Sequence, residues 1–409
     1  MRCGLLGEHL GHSFSPLIHG ELADYSYTLC EVEKESLADF MKSGSLDAFN
    51  VTIPYKQAVI PYLDEISPEA AAIGAVNTVV RRSDGRLCGY NTDYFGFKYM
   101  LELLDIDVSG KKALILGRGG AALTVCAVLS DKGARETVML GSSDNTPENI
   151  AKLSDAEVIV NATPVGMYPK SCVSPINLAS FGACKAVLDL IFNPARTELL
   201  IQAERLGIPC INGLPMLVAQ AAKAFEYFTG DSYEDGCIGR ITTTIKRMTE
   251  NIILVGMPGC GKSTVGELVA KALGRKFIDA DSAFFEMHGI SPADCIERFG
   301  EPHFRSLESD TLRELGKQSG TVIATGGGAV TVEENYSPLH QNGVIFFIER
   351  DLASLAKDGR PLSLRSSPEQ MYAKRISHYK RFADATVFNN TSPEDTAKEM
   401  ISIFESIQE

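Results

Sequence analysis

The chain has 409 residues, 44% of them hydrophobic and 22% charged, with a formal net charge of -13. That composition is typical of a soluble globular protein, and the length exceeds the ~100–200 residues of one domain, so two to four domains are expected. A net acidic chain with no strongly basic stretch argues against nucleic acid or an anionic membrane as partner, while local Lys and Arg can still line a pocket for an anionic small molecule.

The first twenty residues contain no apolar run of the ~7–15 residues a secretory signal needs, and no segment reaches the ~18 of a membrane span. The ten cysteines are scattered and none forms a CxxC pair. Reduced thiols and a cytoplasmic location are expected.

A short apolar run at residues 3–6 opens the chain. Polar clusters then close successive apolar stretches: Gly11-His12-Ser13-Phe14-Ser15-Pro16, Asn50-Val51-Thr52-Ile53-Pro54-Tyr55-Lys56, Gly74-Ala75-Val76-Asn77-Thr78 and Gly89-Tyr90-Asn91-Thr92-Asp93. Taken singly, each reads as a turn. Collectively they supply hydroxyls, amides, one Lys and one Asp at strand ends, which suits a polyhydroxylated carboxylate. A strand at 113–116 runs into Gly117-Arg118-Gly119-Gly120-Ala121-Ala122 and a helix, as a dinucleotide pyrophosphate requires. A strand at 137–140 leads into Gly141-Ser142-Ser143, and about 16 residues separate it from the run at 157–160. A full Rossmann half needs more chain there, so its adenosine side reads as trimmed.

Further apolar runs at 158–160, 186–188, 252–255, 322–324 and 344–348 predict parallel sheets covered on both faces. The polar turn at 229–235 and the helix after it mark a break, and a new unit begins near Thr249. The strand at 252–255 opens Gly256-Met257-Pro258-Gly259-Cys260-Gly261-Lys262-Ser263, followed by Thr264 and helical sequence. This is a phosphate loop: backbone amides and the helix N-terminus cradle phosphate, Lys262 reaches the β- and γ-phosphates, and Ser263 faces Mg²⁺. Asp279 and Asp281 follow the next strand, 276–278, where they can orient the metal's waters or accept from a substrate hydroxyl. A plain helix N-cap is the other reading. Gly300-Glu301-Pro302-His303-Phe304-Arg305 and Thr325-Gly326-Gly327-Gly328-Ala329 follow.

GMPGCGKSTVG, FIDAD, GEPHFRSLE, TGGGAV, GRPL and AKRISHYKRFAD, in that order, resemble shikimate kinase over roughly residues 250–409. The resemblance implies that Asp281, Arg305, Gly327, Gly328 and Arg375 hold shikimate and that Asp281 helps deprotonate it. It also implies that Gly256–Thr264 bind ATP, that Ser263 and Asp279 serve Mg²⁺, and that Arg360 is a lid arginine closing on phosphate beside catalytic Lys262. Residues 1–248 resemble shikimate dehydrogenase through GHSFSP, NVTIPYK, GAVNT, GYNTD, GRGGAA, NATPVGM and GLPMLVAQAAKAF. That resemblance implies substrate ligands Ser13, Ser15, Asn50, Thr52, Asn77, Asp93 and Gln220, with Lys56 and Asp93 as the catalytic pair. It implies that Gly117, Arg118, Gly119, Gly120, Ala121 and Gly213 serve the cofactor. Where the family carries Asn-Arg-Thr to grip the 2′-phosphate, this chain has Gly141-Ser142-Ser143, so NADP(H) is expected with NAD possible. Phe192 stands where the family often has Tyr.

The expected architecture is α/β. A substrate domain at 1–101, with 219–248 folding back onto it, precedes a Rossmann-like domain at 102–218 and a P-loop kinase domain with a parallel sheet at 249–409. The expected function is two consecutive reactions: NADPH-dependent reduction of 3-dehydroshikimate, then ATP-dependent phosphorylation of shikimate. The alternative is a kinase fused to a dehydrogenase-like module that binds ligand without transferring hydride. Small molecules are the expected partners, and the sequence does not reveal the oligomeric state.

Overall fold

The computed structural model describes residues 1–11, 13–355 and 367–408. Its contacts divide the chain into two compact units. The first holds Met1–Val165, Ser174–Phe192 and Gln202–Thr242, and the second holds Gly166–Val173, Asn193–Ile201 and Thr243–Glu409.

The first unit contains two sheets. One is built from β1 (Arg2–Gly7), β2 (Ser26–Glu31), β3 (Ala48–Val51), β4 (Glu65–Ile66), β5 (Thr78–Arg81) and β6 (Leu87–Tyr90), in the order β2-β1-β3-β5-β6-β4. β1 runs parallel to β2 and β3, but β5 is antiparallel to both β3 and β6. The apolar runs suggest parallel sheets, and this one is mixed. Residues 82–86 alone connect β5 to β6, too short for the crossover a parallel pair needs. Register pairs Asn50 with Thr78 and Thr78 with Tyr90. Three polar motifs distant in sequence therefore meet at one end of the sheet.

The other sheet of this unit is parallel throughout. It contains β7 (Lys112–Leu116), β8 (Glu136–Leu140), β9 (Val158–Asn161), β10 (Ala186–Asp189) and β11 (Cys210–Ile211), in the order β11-β10-β9-β7-β8. Every residue of β7, β9 and β10 is buried, which is why these strands read as unbroken apolar runs. A 3₁₀ turn, Ser142–Asp144, and a short helix, Pro147–Lys152, fill the chain between β8 and β9. β8 is the sheet edge, as the shortened sequence implies. The helix Leu214–Thr229 packs on the helices Asp93–Leu103 and Ser15–Leu22 and on β5, which carries Gln220 toward the polar end of the first sheet.

The second unit has one parallel sheet: β12 (Asn251–Val255), β13 (Phe277–Asp279), β14 (Val322–Ala324), β15 (Gly343–Glu349) and β16 (Ala385–Phe388), in the order β13-β14-β12-β15-β16. β12 is central and wholly buried, and its C-terminal end delivers the phosphate loop into the helix Lys262–Leu273. Phe346, Phe347, Tyr379 and Phe382 fill the core on the β15 side. Among the described residues no helix is long and apolar enough to cross a membrane.

Candidate active sites

In the first unit Lys56 Nζ donates to Asp93 Oδ2 at 2.5 Å, with side chains only 17% and 9% exposed. Asp93 is the first residue of the helix Asp93–Leu103, where the helix dipole favours a carboxylate. Asn77 is shared by two neighbours. Its Oδ1 accepts from the Thr92 amide at 2.7 Å, and its Nδ2 reaches Gln220 Oε1 at 3.4 Å. The Thr92 hydroxyl also reaches Gln220 Oε1, at 3.3 Å, and the Thr78 hydroxyl at 3.0 Å. Asn50 Nδ2 donates to Thr78 Oγ1 at 3.1 Å. These groups form one buried network.

Ser13 is half-buried, and its hydroxyl accepts from the Ser15 amide at 3.2 Å. Thr52 is half-buried, and its amide donates to Leu6 O. The structure therefore brings Asn50, Asn77 and Gln220 together beside Thr92 and Asp93. Sequence reasoning passed over Thr78, Thr92 and Tyr27 as site residues. The first two lie inside motifs it quoted, whereas nothing local marks Tyr27.

The glycine loop reaches the same place. Gly117 has φ +119°, and a Cβ there would sit 2.9 Å from Ala162 O. Gly119 has open space around its Cβ position. Gly120 begins the helix Gly120–Asp131, and a Cβ on it would lie 3.6 Å from Lys56 Cβ. Ala121 is half-buried in the first helical turn. An open glycine turn at a helix N-terminus beside Lys56 fits a dinucleotide's pyrophosphate. Arg118 lies over Gly141 and pairs with Asp144 Oδ2 at 2.6 Å. Gly213 precedes the helix Leu214–Thr229, and its amide donates to Ile191 O. Phe192 packs on Phe14, with ring centroids 5.3 Å apart.

The second unit has a cavity of about 520 Å³ between the phosphate loop and the helices of residues 280–316. Pro258, Gly259, Gly261, Lys262, Ser263 and Thr264 form one wall. Met257 and Cys260 are buried behind them. Lys262 Nζ donates to Gly256 O at 3.0 Å and Met257 O at 3.1 Å, which holds the loop curled. Asp279 does two things at once. Its Oδ1 caps the helix Ala280–His288 through the amides of Asp281 and Ser282, and its Oδ2 accepts from the Ser263 hydroxyl at 2.9 Å. Ser263 and Asp279 supply two oxygens, which fits Mg²⁺ because that ion keeps waters and phosphate oxygens as its other ligands. Among the described residues no cluster of three His, Cys, Asp or Glu forms a metal cage.

Asp281, Arg305, Glu308, Gly327, Gly328 and Arg375 form the opposite wall. Arg305 donates to Glu308 at 2.6 Å and to Glu301 at 3.0 Å. A Cβ on Gly328 would fall 2.2 Å from Arg305 Nη2, and one on Gly327 would fall 2.7 Å from Pro258. Gly327 therefore spaces the two walls, and Gly328 leaves room for the Arg305 guanidinium. Arg375 donates to Gly327 O at 3.1 Å, and Tyr379 bonds the same carbonyl. Burial pushes the Glu308 carboxyl up, the nearby Asp281 adds to this, and Arg305 and Arg375 oppose it. Glu308 and Tyr379 went unassigned in the sequence, although both lie in quoted motifs. Arg360 lies outside the described residues.

The fold and both sites define a dinucleotide-type α/β dehydrogenase joined to a P-loop phosphotransferase. Residues 5–79 match the shikimate dehydrogenase substrate binding domain, and residues 258–405 match shikimate kinase. The NADP(+) shikimate dehydrogenase of Clostridium beijerinckii is 40% identical over 243 residues, covering 54% of this chain and 90% of that enzyme. A shikimate 5-dehydrogenase from Thermus thermophilus, solved with NADP(H) and shikimate, superposes with a TM-score of 0.54 at 32% identity, over 60% of this chain and 99% of that one. One from Listeria monocytogenes, solved with shikimate and NAD, gives 0.51 at 31%, over 59% and 96%. The chain belongs to the shikimate dehydrogenase family and carries a C-terminal shikimate kinase domain. It is a bifunctional shikimate-pathway enzyme.

Proposed function

We propose that the first unit reduces 3-dehydroshikimate to shikimate with NADPH and that the second phosphorylates shikimate to shikimate 3-phosphate with ATP. The observation that carries this reading is the nearly dry Lys56–Asp93 pair lying against the glycine loop at Gly120. Nicotinamide, when bound, supplies the hydride. Lys56 then gives a proton to the carbonyl oxygen, or stabilises its charge, and Asp93 holds the ammonium in place. Asn50, Asn77 and Gln220 orient the ring hydroxyls. An intact pair of this kind supports hydride transfer over a module that binds ligand alone. Arg118, from the glycine loop, lies over Gly141, where this chain lacks the family's Asn-Arg-Thr run, and is assigned to meet a 2′-phosphate. Because Asp144 already holds Arg118, discrimination against NAD is expected to be modest.

In the second unit Lys262 and the loop amides hold the phosphates of ATP. Ser263 and Asp279 would hold Mg²⁺, which would neutralise phosphate charge. Arg305 and Arg375 grip the acceptor's carboxylate, and Asp281 accepts from the attacking hydroxyl. In this division of labour residues 1–101 and 219–248 bind substrate, 102–218 bind the dinucleotide and 249–409 carry the kinase. A coupled assay starting from 3-dehydroshikimate tests it. NADPH oxidation and ADP release should both occur, the second only after the first has made shikimate. Failure of either half removes the corresponding assignment.

A further inference from the structure

β2 brings Tyr27 into register with Cys3 of β1, and its hydroxyl donates to Asn50 Oδ1 at 2.8 Å. Asn50 Nδ2 points the other way, to Thr78 Oγ1. The two ends of an amide are nearly isosteric, so their partners decide which way it faces. Asn50 is 4% exposed, so water does not compete for that choice. The Ser15 side chain lies near the same phenol without closing a hydrogen bond of good geometry. One tyrosine therefore holds the carbonyl end of a proposed substrate ligand from a separate strand.

A neutral aromatic wall holds that tyrosine. His19 is fully buried and stacks on Tyr27 at 4.0 Å and 11°. Its other neighbours are Phe228, stacked at 5.8 Å, and Tyr25, whose hydroxyl meets Nδ1 at 2.6 Å. Its Nε2 faces Asn50 without closing a hydrogen bond of good geometry. Burial pushes His19 down to about 3, so the ring stays uncharged beside the network at neutral pH.

We infer that Tyr27, clamped by His19, is a positioning residue that fixes the Asn50 amide for the hydroxy acid bound near Lys56. The inference rests on the dehydrogenase reading of this pocket. Tyr27→Phe keeps the stacked ring and removes only the hydroxyl. For shikimate oxidation its KM should rise roughly 2- to 10-fold, the worth of one hydrogen bond. The kcat and the KM for NADP should stay within about 2-fold, because Lys56 and the cofactor loop are untouched. In a double-variant cycle with Asn50→Ala, the pair should match Asn50→Ala alone. A wild-type KM in folded Tyr27→Phe, or effects that multiply in the pair, overturns the inference. Should Tyr27→Phe fail to fold, Thr78→Val removes the shorter of the two hydrogen bonds from Asn50 Nδ2 and must raise KM likewise. A wild-type chain that does not turn over shikimate, or Asn50→Ala with unchanged KM, overturns the pocket assignment and this inference with it.

Discussion

Acidification should destabilise the first unit through His19. The unfolded ring titrates near 6.5 and the folded one near 3, because burial disfavours the cation. A base with a depressed folded pKa takes up its proton mainly when unfolded. Its contribution to stability is therefore complete above pH 6.5 and is lost as pH falls toward about 3. The loss is about 1.4 kcal/mol per pH unit, or about 2 kcal/mol between pH 6.5 and pH 5. Among the described residues no charged group is in position to offset this. The neighbours are Tyr25 and Tyr27, whose phenols burial pushes up, with Phe228 and Asn50. Urea unfolding followed by circular dichroism at both pH values measures the slope, and His19→Gln should flatten it while lowering stability overall. In long-range ¹H–¹⁵N spectra of the chain's seven histidines, one neutral ring should persist to pH 4 and vanish in His19→Gln. A His19 resonance that titrates near pH 6, or an equal slope in the variant, would refute the reasoning.

Lys56→Met should lower dehydrogenase kcat by ~10²–10⁴ and leave the kinase unchanged, and a kinase loss in folded protein would count against separate sites. Lys262→Met should do the reverse, removing ~10²–10³ of kinase turnover as loop curl and phosphate contact are lost together. Arg118→Ala should raise KM for NADPH about 10-fold and spare NADH, since its charge is worth less where the side chain is 60% exposed; an unchanged NADPH preference would mean another group reads the phosphate. Gly328→Ala should raise KM for shikimate at least about 10-fold with ATP unaffected, because the new methyl displaces the Arg305 guanidinium; parallel losses for both substrates would point to a collapsed cavity.

Much of the second unit was legible because its signals are local. A strand, a glycine loop and a helix in sequence state what the phosphate needs, and 322–324 matches β14 residue for residue. The first unit was harder to read because its network is assembled across the chain. Tyr27 and Gln220 lie far apart in sequence, and both reach the site through tertiary packing. The antiparallel β5 was hidden for a similar reason: buried strands of either direction read as the same apolar run. Asp279 shows the opposite case, where the sequence offered a metal role and a cap as rivals. A carboxylate has two oxygens, and the structure uses one for the helix and the other for Ser263.

The Arg305 cluster shows why the glycines at 326–328 matter. A nearly buried Arg–Glu pair is a poor source of stability, since desolvation offsets most of the attraction. Arg305 is 13% exposed and Glu308 only 7%, so stability alone does not account for the pair. Orientation does. Glu308 holds one edge of the guanidinium, and Gly328 leaves room for the guanidinium to lie against the glycine loop. Glu301, half exposed, holds the other edge loosely. In the proposed reaction an acceptor's carboxylate displaces Glu301 and leaves Glu308 in place. The arginine then meets it in a geometry set beforehand, and less freedom is lost on binding.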